Sequence, residues 1–181
     1  NVALGNTALD DGSLSGGNNT AIGSAALSST TSGADNTAVG FNVLSTNQTG
    51  SSNTAIGKSA LSLNTGGSNV AVGRSALENN STASNNTAVG KDALIANTTG
   101  HSLVAVGDSA LKANTTALAN TAVGRAALEA TTTGASNTAV GRSALQVNTT
   151  GAENVAVGLS ALDANTTGSN NVAVGRNALS G

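Results

Sequence analysis

The chain has 181 residues with 23 glycines, a single aromatic residue, no Cys, Pro, Met, Trp or Tyr, and a formal net charge of -2 with 9% charged residues. This composition excludes disulfides, thiol chemistry and cysteine-held zinc, and it offers no electrostatic footprint for nucleic acid and no polybasic membrane patch. It also excludes an ordinary globular core, because at this length such a core draws on large side chains that are almost missing here.

What the chain has instead is a period. A phrase whose fullest form is Asn-Thr-Ala-Val-Gly, followed two residues later by Ala-Leu, recurs eleven times, as in Asn137 to Gly141 with Ala144 and Leu145. Its glycines fall at Gly5, Gly23, Gly40, Gly57, Gly73, Gly90, Gly107, Gly124, Gly141, Gly158 and Gly175, spaced 18, 17, 17 and 16 residues apart and then 17 throughout. So regular a period predicts a stacked array of one small unit. The domain is then a single repeat domain over 1–181. The pattern runs into both ends, and the chain is expected to be part of a longer fibrous protein.

Positions within the unit are numbered from its Asn. Position 1 is Asn in ten copies, with Leu103 the exception; position 2 is Thr in six and Val in five; position 3 is Ala and position 5 is Gly in all eleven. Position 4 is Val, Ile or Leu. Positions 1 to 4 alternate β-branched residues between an Asn and a Gly, which predicts a strand of about four residues rather than a helical turn. On that strand positions 2 and 4 share one face and positions 1 and 3 the other. Hydrophobicity alone assigns the Val and Ile face to the core and leaves the small Ala on the opposite face, against a close neighbour. The glycines from Gly23 to Gly175 then mark the corner that ends each strand.

Position 8 is Ala except at Val43, and position 9 is always Leu. These residues are expected to return the chain so that Leu packs beside the aliphatic residue of position 4, giving a core of Val39 with Leu44, Val89 with Leu94 and Val140 with Leu145. The tail reads Asn-Thr-Thr-Gly in its cleanest copies, at Asn97, Asn148 and Asn165, and closes the coil as a turn. The predicted fold is therefore an all-β parallel β-solenoid, or β-roll, of about eleven 17-residue coils. Stacked at the strand spacing, they make a rod about 50 Å long. Each coil buries little, which favours association of columns through their Ala faces into a homotrimer.

Charge follows the same period. Six of the seven basic residues occupy position 6: Lys58, Arg74, Lys91, Arg125, Arg142 and Arg176. Asp10, Glu78, Glu129 and Asp163 occupy position 10, and coil seven exchanges the signs with Asp108 at position 6 and Lys112 at position 10. The exchange predicts that the two positions are neighbours, pairing Arg74 with Glu78 and Arg125 with Glu129 along a solvated edge. Phe41 and Leu159 interrupt the basic row and are candidate surface contacts, with Phe41 alternatively a plug in a gap.

Residues for chemistry are sparse. His101 lies in a turn beside Gly100 with no cysteine or repeated carboxylate nearby, and Asp92 and Asp108 lack the glycine-rich pattern of calcium-binding β-rolls. No phosphate loop, nucleophile elbow or acid–base pair assembles, so no catalytic residue, metal or cofactor is expected and the segment is not read as an enzyme. Asn-x-Thr triplets at Asn47, Asn97, Asn114, Asn148 and Asn165 have the form of glycosylation acceptors, but they follow from the repeat itself.

Asn170 to Gly175, Asn-Asn-Val-Ala-Val-Gly, and its variants such as Asn85 to Gly90 resemble the head repeats of trimeric autotransporter adhesins, and similar repeats occur in phage tail fibres. The resemblance spans the chain but rests on a six-residue core, and the present unit is longer than that family's usual one. It implies a left-handed parallel β-roll of three chains on a bacterial cell surface or a phage virion. It also implies an adhesive role toward a host matrix protein or cell-surface receptor, without nucleic acid and without membrane insertion by this segment. Two other functions fit a repeat of this kind. One is a self-assembling filament subunit. The other is an ice-binding solenoid, for which the adjacent Thr-Thr pairs are poorly placed.

Overall fold

Every copy of the repeat forms one short strand, and the strands stack in chain order. The structure, a computed structural model, describes residues 1–12 and 14–180. The strands are β1 (Val2–Leu4), β2 (Thr20–Ile22), β3 (Thr37–Val39), β4 (Thr54–Ile56), β5 (Val70–Val72), β6 (Thr87–Val89), β7 (Val104–Val106), β8 (Thr121–Val123), β9 (Thr138–Val140), β10 (Val155–Val157) and β11 (Val172–Val174). They form one parallel sheet in the order β1 to β11, with Thr20 opposite Thr37 opposite Thr54 and Ala21 opposite Ala38 opposite Ala55. Each position therefore lies on the same position of the next coil, Ala on Ala throughout and Thr on Thr or Val at position 2. The protein is an all-β parallel solenoid.

The corners explain why the same residue types return. Position 5 lies outside the range open to L side chains, with φ of 133° at both Gly90 and Gly141. An alanine Cβ at Gly141 would also lie 2.6 Å from the carbonyl carbon of Gly158 in the next coil, and closer still to its oxygen. Position 9 takes a left-handed conformation too, with φ of 48° at Leu44, 53° at Leu94 and 51° at Leu145. A left-handed leucine costs on the order of 1–2 kcal/mol. Burial of its side chain, about 1.5–3 kcal/mol, offsets that cost. Its amide is satisfied as well: Leu128 N–H donates to Ala144 O of the next coil at 3.0 Å.

The interior corrects the expected facing of the strand. Ala at position 3 points inward and is fully buried from Ala21 to Ala156, whereas the Val and Ile of position 4 point outward. Leu44, Leu94 and Leu145 are buried, but Val39 and Val89 are only half-buried and Val140 is 38% exposed. Leu145 and Val140 thus lie on opposite sides of the coil wall, and the Ala face is not available for packing between columns. The reason is space and polarity together. Leu of position 9 and Ala of positions 3 and 8 already fill the apolar half of a narrow interior, and two columns of asparagine fill the rest.

The asparagines replace the missing core. At position 1, Asn36 Nδ2 donates to Gly50 O at 2.9 Å and to Asn19 Oδ1 at 3.1 Å, while Asn36 Oδ1 accepts the Asn53 amide at 3.0 Å. At position 12, Asn97 Nδ2 donates to Asn80 Oδ1 at 2.8 Å and to Gly100 O at 2.9 Å. Both columns converge on the carbonyl of position 15, as Asn36 and Asn47 do on Gly50 O. Buried amides are tolerated because they find partners in the neighbouring coils, with Asn114 Oδ1 the one buried polar side-chain atom among the described residues left without one; stacked Asn ladders are stabilised in the same way. Coil four, one residue short, absorbs its deletion in the outer turn, where Asn64 reaches Gly66 O across two residues instead of three.

Candidate binding faces

With the interior assigned, function must lie on the outer columns. The sheet face carries positions 2 and 4. Position 4 forms an unbroken aliphatic row from Leu4 to Val174, and position 2 carries Thr in six coils and Val in five beside it. Among the large apolar side chains that remain exposed, Ile22, Ile56, Val70, Val104, Val123, Val140, Val155 and Val157 all belong to this face. Adjacent rungs cover much of each side chain, and no other described residue covers the face as a whole.

The corner beyond Gly5-type residues carries the position 6 row. Lys58, Arg74, Lys91, Arg125, Arg142 and Arg176 are exposed on it. Phe41, in the same column, is 55% exposed and so is a surface residue rather than a plug; Leu159 is half-buried. The expected pairing with position 10 does not form. Arg74 Nη2 lies 3.3 Å from Asp92 Oδ1 and Lys91 Nζ 3.2 Å from Asp92 Oδ2, and these are the ion pairs found among the described residues. Position 7 of the following coil stands closer to a basic side chain than position 10 of its own coil does. Two left-handed corners, at positions 7 and 9, intervene between positions 6 and 10, as at Ser75 and Leu77. Glu129 instead accepts a hydrogen bond from Gln146 Nε2 at 2.8 Å within its own column, and Asp108 accepts one from Ser109 Oγ at 3.3 Å.

The Asn-Thr-Thr-Gly turn divides its labour. Its Asn joins the inner ladder. The first Thr donates to the backbone of the next coil, Thr98 Oγ1 to Thr115 O at 3.0 Å and Thr149 Oγ1 to Thr166 O at 3.0 Å. The second Thr, at Thr82, Thr99, Thr116, Thr133, Thr150 and Thr167, points to solvent as a separate row. Asn47, Asn97, Asn114 and Asn148 are fully buried, so the amide nitrogen a glycan would need is inside the rod.

Elsewhere the surface is chemically quiet. His101 is exposed with Nδ1 3.2 Å from Ser102 Oγ, and among the described residues no group of three or more His, Cys, Asp or Glu gathers as metal ligands would. Among the described residues no helix is long and apolar enough to cross a membrane. No family model, curated protein or solved structure matches the chain.

The residues that sequence reasoning passed over are the asparagines. Their signal was present: positions 1, 3 and 9 hardly vary between copies while positions 2 and 4 do. In a stacked repeat, near-invariance marks the crowded interior and variation marks the outside, whatever the polarity of the residue.

Proposed function

We propose that the chain is a structural and adhesive segment of an extracellular fibre, in which copies associate through the aliphatic sheet face and leave the other columns for recognition. The observation that carries this reading is the unbroken row of outward Val and Ile along the whole sheet. A strip two side chains wide and about 50 Å long covers on the order of 500 Å², at the upper end of what monomers leave exposed. Closed, parallel association of three copies buries that strip and keeps all chains running the same way, as a fibre requires. Three chains, a left-handed coil and a place on a bacterial surface or phage virion are what the resemblance of Asn170 to Gly175 implies, and the exposed strip supports the first of these. The rigid column would hold a receptor-binding surface away from its anchor.

Light scattering on the purified protein should give three times the 17.1 kDa chain mass. Val123→Lys with Val140→Lys should dissociate the assembly while leaving the circular dichroism of the coil intact. A stable folded monomer of the unmodified protein would refute the association, and an open polymer in electron micrographs would favour the filament reading. Ice binding gains nothing from the face, since an outward Thr at position 2 is always accompanied by an outward aliphatic residue at position 4. A thermal-hysteresis assay should accordingly show no activity.

A further inference from the structure

The geometry points to the position 6 column as a binding edge for a linear sulfated polysaccharide. The inference deepens the adhesive reading by naming a partner class, but it stands on this one edge and does not require three chains.

The argument begins with segregation. The protein is net negative, yet six of its seven basic residues share one column. Lys58, Arg74 and Lys91 occupy consecutive coils, as do Arg125 and Arg142, with Asp108 between the two groups. At one coil per strand spacing, Lys58 to Arg142 spans about 24 Å in a straight line. Among the described residues Lys58, Arg125 and Arg142 have no ionic partner, and Arg74 and Lys91 share the single carboxylate of Asp92. Glu129, at position 10 of the Arg125 coil, is engaged by Gln146. The edge therefore presents cations that the protein's own acids leave largely uncompensated.

A straight, evenly spaced row selects among polyanions. Duplex DNA winds its backbone away from a straight edge, and its phosphates advance only about 3.4 Å along the helix axis per step of each strand, out of step with the coils. Single-stranded nucleic acid is normally held by aromatic stacking platforms beside the basic groove, and this chain has Phe41 alone. An extended sulfated polysaccharide needs neither a groove nor stacking. Its sulfates recur along an extended chain at a spacing set by its sugars, so that several can face a straight row at once. Arginine and lysine ends on flexible stems can follow that spacing, and arginine offers bidentate donors to each sulfate.

The test uses size-defined heparin fragments, chemically desulfated heparin and a mixed-sequence oligonucleotide, each titrated calorimetrically into the intact protein at several sodium chloride concentrations. Heparin is expected to bind at least tenfold more tightly than the desulfated fragment or the oligonucleotide, with affinity falling as salt rises. The triple substitution Lys58→Gln, Arg125→Gln and Arg142→Gln should weaken heparin binding tenfold or more, and Asp108→Ser should strengthen it severalfold. Heparin binding unchanged by the triple substitution overturns the proposal. So does weakened or unchanged binding by the folded Asp108→Ser protein, and so does an oligonucleotide that binds as well as heparin. Light scattering on the same samples reports the association state separately, so loss of one property is not confused with loss of the other.

Discussion

Thr131→Asn should stabilise the protein. Position 12 carries an asparagine ladder through Asn47, Asn64, Asn80, Asn97 and Asn114, and in the next coil the position is Thr131. A threonine is too short to continue it. Its hydroxyl donates to Asn148 O at 3.0 Å, and Asn114 Oδ1 is left buried without a partner. The ladder resumes poorly above, where Asn148 Nδ2 reaches Thr131 Oγ1 at 3.4 Å. A buried acceptor without a donor costs about 1–3 kcal/mol, and the hydroxyl bond that would be surrendered contributes about 1 kcal/mol. Asparagine is close to threonine in volume and is the residue this backbone position holds in neighbouring coils. Restoring the Nδ2–Asn114 Oδ1 bond and shortening the Asn148 contact should therefore give a net gain of about 1–2 kcal/mol. For a chain of this length that is a rise in Tm of roughly 2–8 °C. Thermal and urea melts followed by circular dichroism measure it, and hydrogen exchange at the Asn148 coil localises it where unfolding is not all-or-none. The mirror substitution, Asn97→Thr in the intact part of the ladder, should destabilise by a similar amount. If Thr131→Asn leaves the melt unchanged while Asn97→Thr is also neutral, the ladder does not contribute as argued.

Four further substitutions probe the rest of the coil. Gly141→Ala combines a forbidden φ of 133° with a clash against Gly158, so a loss of at least 1–3 kcal/mol is expected in a urea melt, with local opening of β9 and β10 by hydrogen exchange. Leu145→Ala, at a fully buried side chain, should cost about 2–5 kcal/mol. Val140→Ala, on the outer face, should cost the isolated coil less than 1.5 kcal/mol and instead weaken association, read as a shift in the light-scattering mass with concentration. Asp92→Asn removes the carboxylate shared by Arg74 and Lys91, whose side chains are 56% and 53% exposed, and should change stability by less than about 1 kcal/mol. A larger loss by thermal melt would show that this pair holds the corner rather than decorating it.

The amino-acid sequence by itself determined the period, a strand within positions 1 to 4 (of which 2 to 4 form it), the parallel stacking and the corner glycine. Each of these is a local property repeated eleven times, so the copies act as one another's alignment. Only the tertiary structure decided which face of the strand looks inward. Alternation along a strand allows both choices, and hydrophobicity favours the wrong one, because Val140 is more apolar than Asn137 or Ala139. What decides is the width of the coil. An interior that already holds Leu145 and Ala144 takes the small Ala139 at position 3, and Asn137 belongs there because Asn120, Asn154 and Gly151 in and around the neighbouring coils supply its partners. Those partners lie 14 to 17 residues away, brought within 3.3 Å by stacking alone. The ion pairing was illegible for the same reason: Asp92 reaches Arg74 across 18 residues, while Glu78, four residues from Arg74 in sequence, lies on a different column.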